Sequence, residues 1–181
     1  MDILQWLKLD HEAMLRSVQH LGAEVQSAGG AVKTKTILEQ QVTELAAELL
    51  GHIKAEEEYL LPEMTGRFPG ADLLADLCSA NHKVLKKHIK SLLKAASEGD
   101  REGASSAATA LVKAVELHLD VQETQLMPKL RQHVPTSERE DLGQLVADLM
   151  AEIHSEGVDI AGELKSSRES VKVAAKGRAR A

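Results

Sequence analysis

Aromatic side chains are almost missing: one Trp, one Tyr and one Phe in 181 residues. The core must therefore be built from Leu, Val, Ile and Ala, and Leu and Ala are strong helix formers. Glycine and proline are sparse, at 12 and 4. No run alternates polar and apolar residues in the manner of a strand, so the expected class is all-α. A single cysteine, Cys78, excludes an internal disulfide framework and a Cys-rich zinc site, and fits a reducing compartment. No stretch approaches the roughly 20 apolar residues of a membrane span. The opening MDILQWLKLD has no basic start and no long apolar stretch, so no signal peptide is expected. The expectation is a cytoplasmic protein with no membrane partner.

A broad basic surface is also lacking. The net charge is −6, but residues 165–181 carry +5 and the remainder −11. An acidic body argues against a nucleic-acid partner. The expected organisation is a helical domain over residues 1–164 and a basic, disordered tail over 165–181.

What is present is helical periodicity. The spacing predicts a first helix over 3–26, a second over 34–61, a third over 71–97 and a fourth over 101–132. Pro62 is expected to end the second, because proline lacks the N–H donor. A fifth helix is expected from Ser137, where Ser137 and Glu140 have capping-box spacing, through about Leu164. Leu142, Leu145, Leu149 and Ile153 form its packing side. Long amphipathic helices with short connections favour an up-down-up-down four-helix bundle with an additional C-terminal helix.

Four histidines fall on these helices in two copies of one pattern. His11 matches His82, and His52 matches His118, at offsets of 71 and 66 residues. Pro62 and Pro128 each follow the second histidine by ten residues. In an up-down bundle the four positions lie at one level, so the imidazoles converge in a pseudo-twofold site. Glu56 stands four residues after His52, on the same helical face. Clustered imidazoles and a carboxylate in an apolar core call for a cation. Imidazole suits both zinc and iron.

The segments Asp10-His11-Glu12, His52 to Glu57, Asn81-His82 and His118 onward resemble the haemerythrin-like family, also called the HHE cation-binding domain. The resemblance covers about residues 1–150. It implies His11, His52, Glu56, His82 and His118 as metal ligands around non-haem iron in a di-iron centre. It implies dioxygen or peroxide as the small-molecule partner, in oxygen or iron sensing or in peroxide handling. The chain departs from the family pattern at two places. Gln122 stands where the second copy should repeat Glu56. Glu123 beside it is the alternative ligand, but on a regular helix it points about 140° away from His118 and needs a local distortion. Lys86 stands where oxygen carriers of the family have a further histidine, which disfavours a simple carrier.

Other residues read more plainly. Cys78 is expected as a core residue, and Glu57 and Glu58 as solvated. Tyr59 is open between packing and a hydrogen bond into the site. His20, His88, His133 and His154 lack counterparts and read as surface residues. Three functions compete: an iron protein binding dioxygen or peroxide, with peroxide decomposition as its conceivable turnover; a structural or sensor domain holding one metal or zinc; and a bundle that has lost its metal. No Ser-His-Asp or Cys-His arrangement stands out. Either a monomer or a homodimer fits.

Overall fold

The computed structural model of the chain describes residues 1–26 and 35–165. Helices joined by short turns make up these residues, with no strand among them. Helix α1 spans Ile3–Gln26, α2 Lys35–Ala55, α3 Leu61–Met64, α4 Ala71–Glu98, α5 Arg101–Val121, α6 Met127–His133, α7 Thr136–Glu156 and α8 Ile160–Glu163. Contacts of α1 with α2, α2 with α4, α4 with α5 and α5 with α1 close a four-helix bundle. Helix α7 packs outside it against α1 and α2. Residues 27–34, after the first helix, and the tail after Lys165 lie outside the described residues.

Pro62 does not end the second helix. A π-helical segment, Glu56–Leu60, leads directly into α3, and Leu61 N–H donates to the Glu56 carbonyl. The same happens at Gln122–Leu126, where Met127 N–H donates to the Gln122 carbonyl ahead of Pro128. Each proline follows the last π-bonded residue, where it has no N–H to give. The wider turn accommodates it, and the chain stays helical at the cost of one residue of phase. Such π-bulges recur at functional sites.

The turns follow ordinary chemistry. Gly99, at φ +71°, closes α4, and the Asp100 side chain accepts from Gly103 N–H to cap α5. Helix α7 departs from expectation at both ends. It starts at Thr136 after Pro135, with no side-chain cap, so Ser137 and Glu140 form no capping box. It stops at Gly157, φ +83°, and the helicity expected through Leu164 resumes only in α8. Its buried face is Leu142, Gly143, Val146 and Leu149, whereas Leu145 is exposed. Gly143 is required there: a Cβ would fall on the Met1 carbonyl, where α7 meets the start of α1.

The apolar core is in two clusters. One, around Met14, Leu49, Ile89 and Leu111, fills the body of the bundle. The other, around Leu7, Leu61, Met64 and Leu130, fills the end covered by α7. The sequence positions of His11, His52, His82 and His118 fall between the two, on α1, α2, α4 and α5.

Candidate metal centre

The four histidines converge as the register predicts. Ring centroids lie 5.4 Å apart for His11 and His52, 5.5 Å for His52 and His118, and 5.1 Å for His82 and His118. All four are buried, as are Glu56 and Gln122. The Glu56 carboxylate occupies the middle. Its Oε1 faces His52 Nε2 at 3.4 Å, and its Oε2 faces His82 Nε2 at 2.9 Å and His118 Nε2 at 3.7 Å. His52 Nε2 and His118 Nε2 are 3.2 Å apart.

Two donor groups share this carboxylate. His11, His52 and Glu56 form one, and Glu56, His82 and His118 the other, each with donor atoms close enough to hold a metal ion. Gln122, at the counterpart of Glu56, donates from Nε2 to Glu56 Oε2 at 2.6 Å. Its own Oε1 has no partner. Glu123, the other candidate in this half, lies beside His11. It is 52% exposed and pairs with the Nδ1 of His11 at 3.2 Å.

The outer nitrogens reveal residues that periodicity missed. His52 Nδ1 pairs with Asp10 Oδ2 at 2.7 Å, and His82 Nδ1 with Glu57 Oε1 at 3.0 Å. Glu57 is therefore not a solvated residue; its other oxygen accepts from buried Lys86 at 3.1 Å. Such pairs fix the tautomer and leave each Nε2 free to bind a cation. The His82–Glu57 and His11–Glu123 pairs repeat each other across the pseudo-twofold. The His52–Asp10 pair has no such repeat: Asn81 stands in the place of Asp10, and His118 Nδ1 is unpartnered. Trp6 stacks on His52 at 5.8 Å. Tyr59 packs against the apolar cluster at this end. Beside His11 and Glu123 a groove of about 520 Å³ opens to solvent, with Lys8, Glu12, Asp120 and Arg131 along it.

The remaining histidines lie apart from the centre. His20 and His154 are exposed and His88 is half-buried. His133 stacks on Phe68.

The electrostatics centre on Glu56. Burial alone would raise its carboxyl, but His52 and the hydrogen bond from His82 hold it far below the usual carboxylate range. Burial pulls His52 and His82 down, yet Glu56 with Asp10, and Glu56 with Glu57, carry them above the ordinary imidazole value. His11 and His118 are lowered, by burial first.

Residues 2–130 match the Hemerythrin HHE cation binding domain. The chain belongs to that family. It is accordingly a metal-binding helical protein, and it brings together two His/Glu groups that could hold a cation. No curated protein and no solved structure matches it. The donors of the HHE domain fit a cation on their own evidence. His11 Nε2, Glu56 Oε1 and Gln122 Oε1 are all buried without hydrogen-bond partners. Buried polar atoms without partners are uncommon and costly. The imidazole and carboxylate donors that face one another stand 2.9 to 3.7 Å apart. Neighbouring ligands on one ion, at metal–donor distances of about 2.0–2.2 Å, have similar spacing.

Cys78 lies buried behind this centre. Burial, and then the Glu56 charge, push its thiol up to about 12. At pH 8 the folded chain is expected to leave an aromatic disulfide reagent unreacted, and the unfolded chain to release one equivalent of thiolate. Prompt reaction of the folded chain would contradict the burial of Cys78.

Proposed function

We propose that the chain holds two non-haem irons, one in each His-His-Glu group, and binds dioxygen or peroxide there, in oxygen or iron sensing or in peroxide handling. The observation that carries this is the shared carboxylate, with Oε1 turned to one group and Oε2 to the other. Two imidazoles and one carboxylate per ion, with the remaining positions open, is a donor set that non-haem iron uses. Iron bound there would supply redox chemistry toward dioxygen or peroxide.

The chain's own residues do the rest. Asp10 and Glu57 hold the Nδ1 protons of His52 and His82, which keeps both Nε2 lone pairs on the cation side. Trp6 and the apolar end cluster keep bulk water from that side. The groove beside His11 is the route for a small molecule, and Glu123 stands at its inner edge.

A second reading is a structural or sensor domain with one metal or zinc. One observation favours it: Gln122 Nε2 occupies Glu56 Oε2, the oxygen turned toward His82 and His118. A neutral amide also supplies less charge than a second carboxylate for a second cation.

Metal content decides between them, measured on protein from iron-replete cells together with an absorption spectrum before and after peroxide. Two irons per chain and a ferric band that responds to peroxide are expected. One metal, or colourless zinc with no response, would replace the first reading by the second. Within the site, Asp10→Ala is expected to weaken metal binding by about 10- to 100-fold, the usual effect of losing a carboxylate behind a ligating histidine. Glu58→Ala, whose side chain is 48% exposed and pairs with Lys54, is the control and should bind as the wild type does. Equal affinities in all three would remove Asp10 from the site.

A further inference from the structure

Helix α4 carries its metal-site residues on one face and an apolar stripe on the opposite one. Leu73, Leu77 and Val84 are 74%, 38% and 46% exposed, and Ala80 between them is exposed as well. Steps of four, three and four residues keep all four within a narrow arc of the helix. Solvated helix faces rarely present such a stripe without a partner.

The charges beside the stripe are segregated by sign along the axis. Asp72 and Asp76 flank its amino-terminal half, and Lys83 and Lys87 its carboxyl-terminal half, all exposed and all on the same flank. Laid antiparallel on a second α4, this pattern is self-complementary. With the twofold axis between residues 79 and 80, Asp72 faces Lys87 of the second copy and Asp76 faces its Lys83. One axis position satisfies both pairings, and symmetry doubles them to four. The same axis brings Leu73 within about 3 Å along the helix of the level of Val84 of the other copy, with Leu77 and Ala80 near the middle. Small Ala80 at the crossing lets the helices approach. The helix dipoles are also antiparallel, which favours the arrangement.

We propose that two copies of this chain associate through α4, antiparallel, about a twofold axis at Ala80. A contact of about four helical turns on each side is at the small end of specific interfaces, so the dimer is weak and reversible. Charge pairing then sets its register more than its strength, and salt loosens it. Both metal sites stay on the far side of α4, so the interface leaves the groove beside His11 open.

The test is sedimentation equilibrium of the full chain across the micromolar range, at low and high salt. The wild type is expected to move from 19.6 kDa toward twice that mass, less readily at high salt. A double variant Asp72→Lys with Asp76→Lys should stay monomeric, because like charges then face each other. Lys83→Asp with Lys87→Asp should do the same. An equimolar mixture of the two variants should recover the dimer, since each supplies the charges the other lacks. Circular dichroism and metal content confirm that each variant folds. A wild type that stays monomeric throughout would overturn the proposal and leave the stripe to a different partner. Variants that dimerise as the wild type does would place any dimer on another face, with the same consequence.

Discussion

One buried carboxylate organises the centre of this protein. Among the described residues Glu56 is the single buried acid, and four imidazoles and one amide surround it. Taking a carboxylate out of water costs several kcal/mol. Charge-assisted hydrogen bonds from His82 and Gln122 return about 1.5–3 kcal/mol each, and they fall on Oε2 alone. Oε1 has no hydrogen bond, and His11 Nε2 is unpartnered. A layer so incompletely satisfied between two well-packed apolar clusters is what a cation completes, and the HHE family to which the chain belongs binds one. The bundle supplies rigid walls; the layer between its two cores supplies the chemistry.

The duplication is faithful in backbone and unequal in charge. Both halves place a π segment between the second histidine and a proline, and both set a glutamate on an outer imidazole nitrogen. They differ where it matters for a cation. The first half has Glu56 and Asp10, and the second has Gln122 and Asn81 in their places. Negative charge is therefore concentrated on one side of the pseudo-twofold. His52 and His82, which face the carboxylates, are held toward the protonated form, while His118 is driven toward the neutral one. Two cations bound here would experience different fields, and that asymmetry belongs to this chain.

Much of this was legible in the sequence. Helix α1 runs between the expected residues, and the paired offsets of His11 with His82 and His52 with His118 placed four imidazoles at one level before any coordinates. What periodicity hid was a change of phase. A regular helix turns Glu57 and Glu123 away from the site, and Glu57 read as solvated for that reason. The π segments ahead of Pro62 and Pro128 add one residue to the turn, which brings both glutamates onto outer histidine nitrogens. The signal was in the prolines, each ten residues after a histidine, which mark a widened turn here and not a helix end. Asp10 was visible only as part of the family-like segment, because a residue beside a ligand lies off the apolar stripe. Leu145 misled by simple spacing: the close approach at Gly143 rotates α7 so that Val146 faces the core instead.

On the proposed reading, Glu56 is the charge on which metal binding depends. Glu56→Gln keeps the shape and removes that charge. The decisive measurement is the melting temperature of wild type and Glu56→Gln, each with and without ferrous iron. A ligand that binds only the folded chain raises its melting temperature according to concentration and affinity. Iron is expected to raise that of the wild type and to leave that of Glu56→Gln unchanged, with both metal-free proteins folded. An equal rise in the two would contradict the claim and assign the cation to the imidazoles alone.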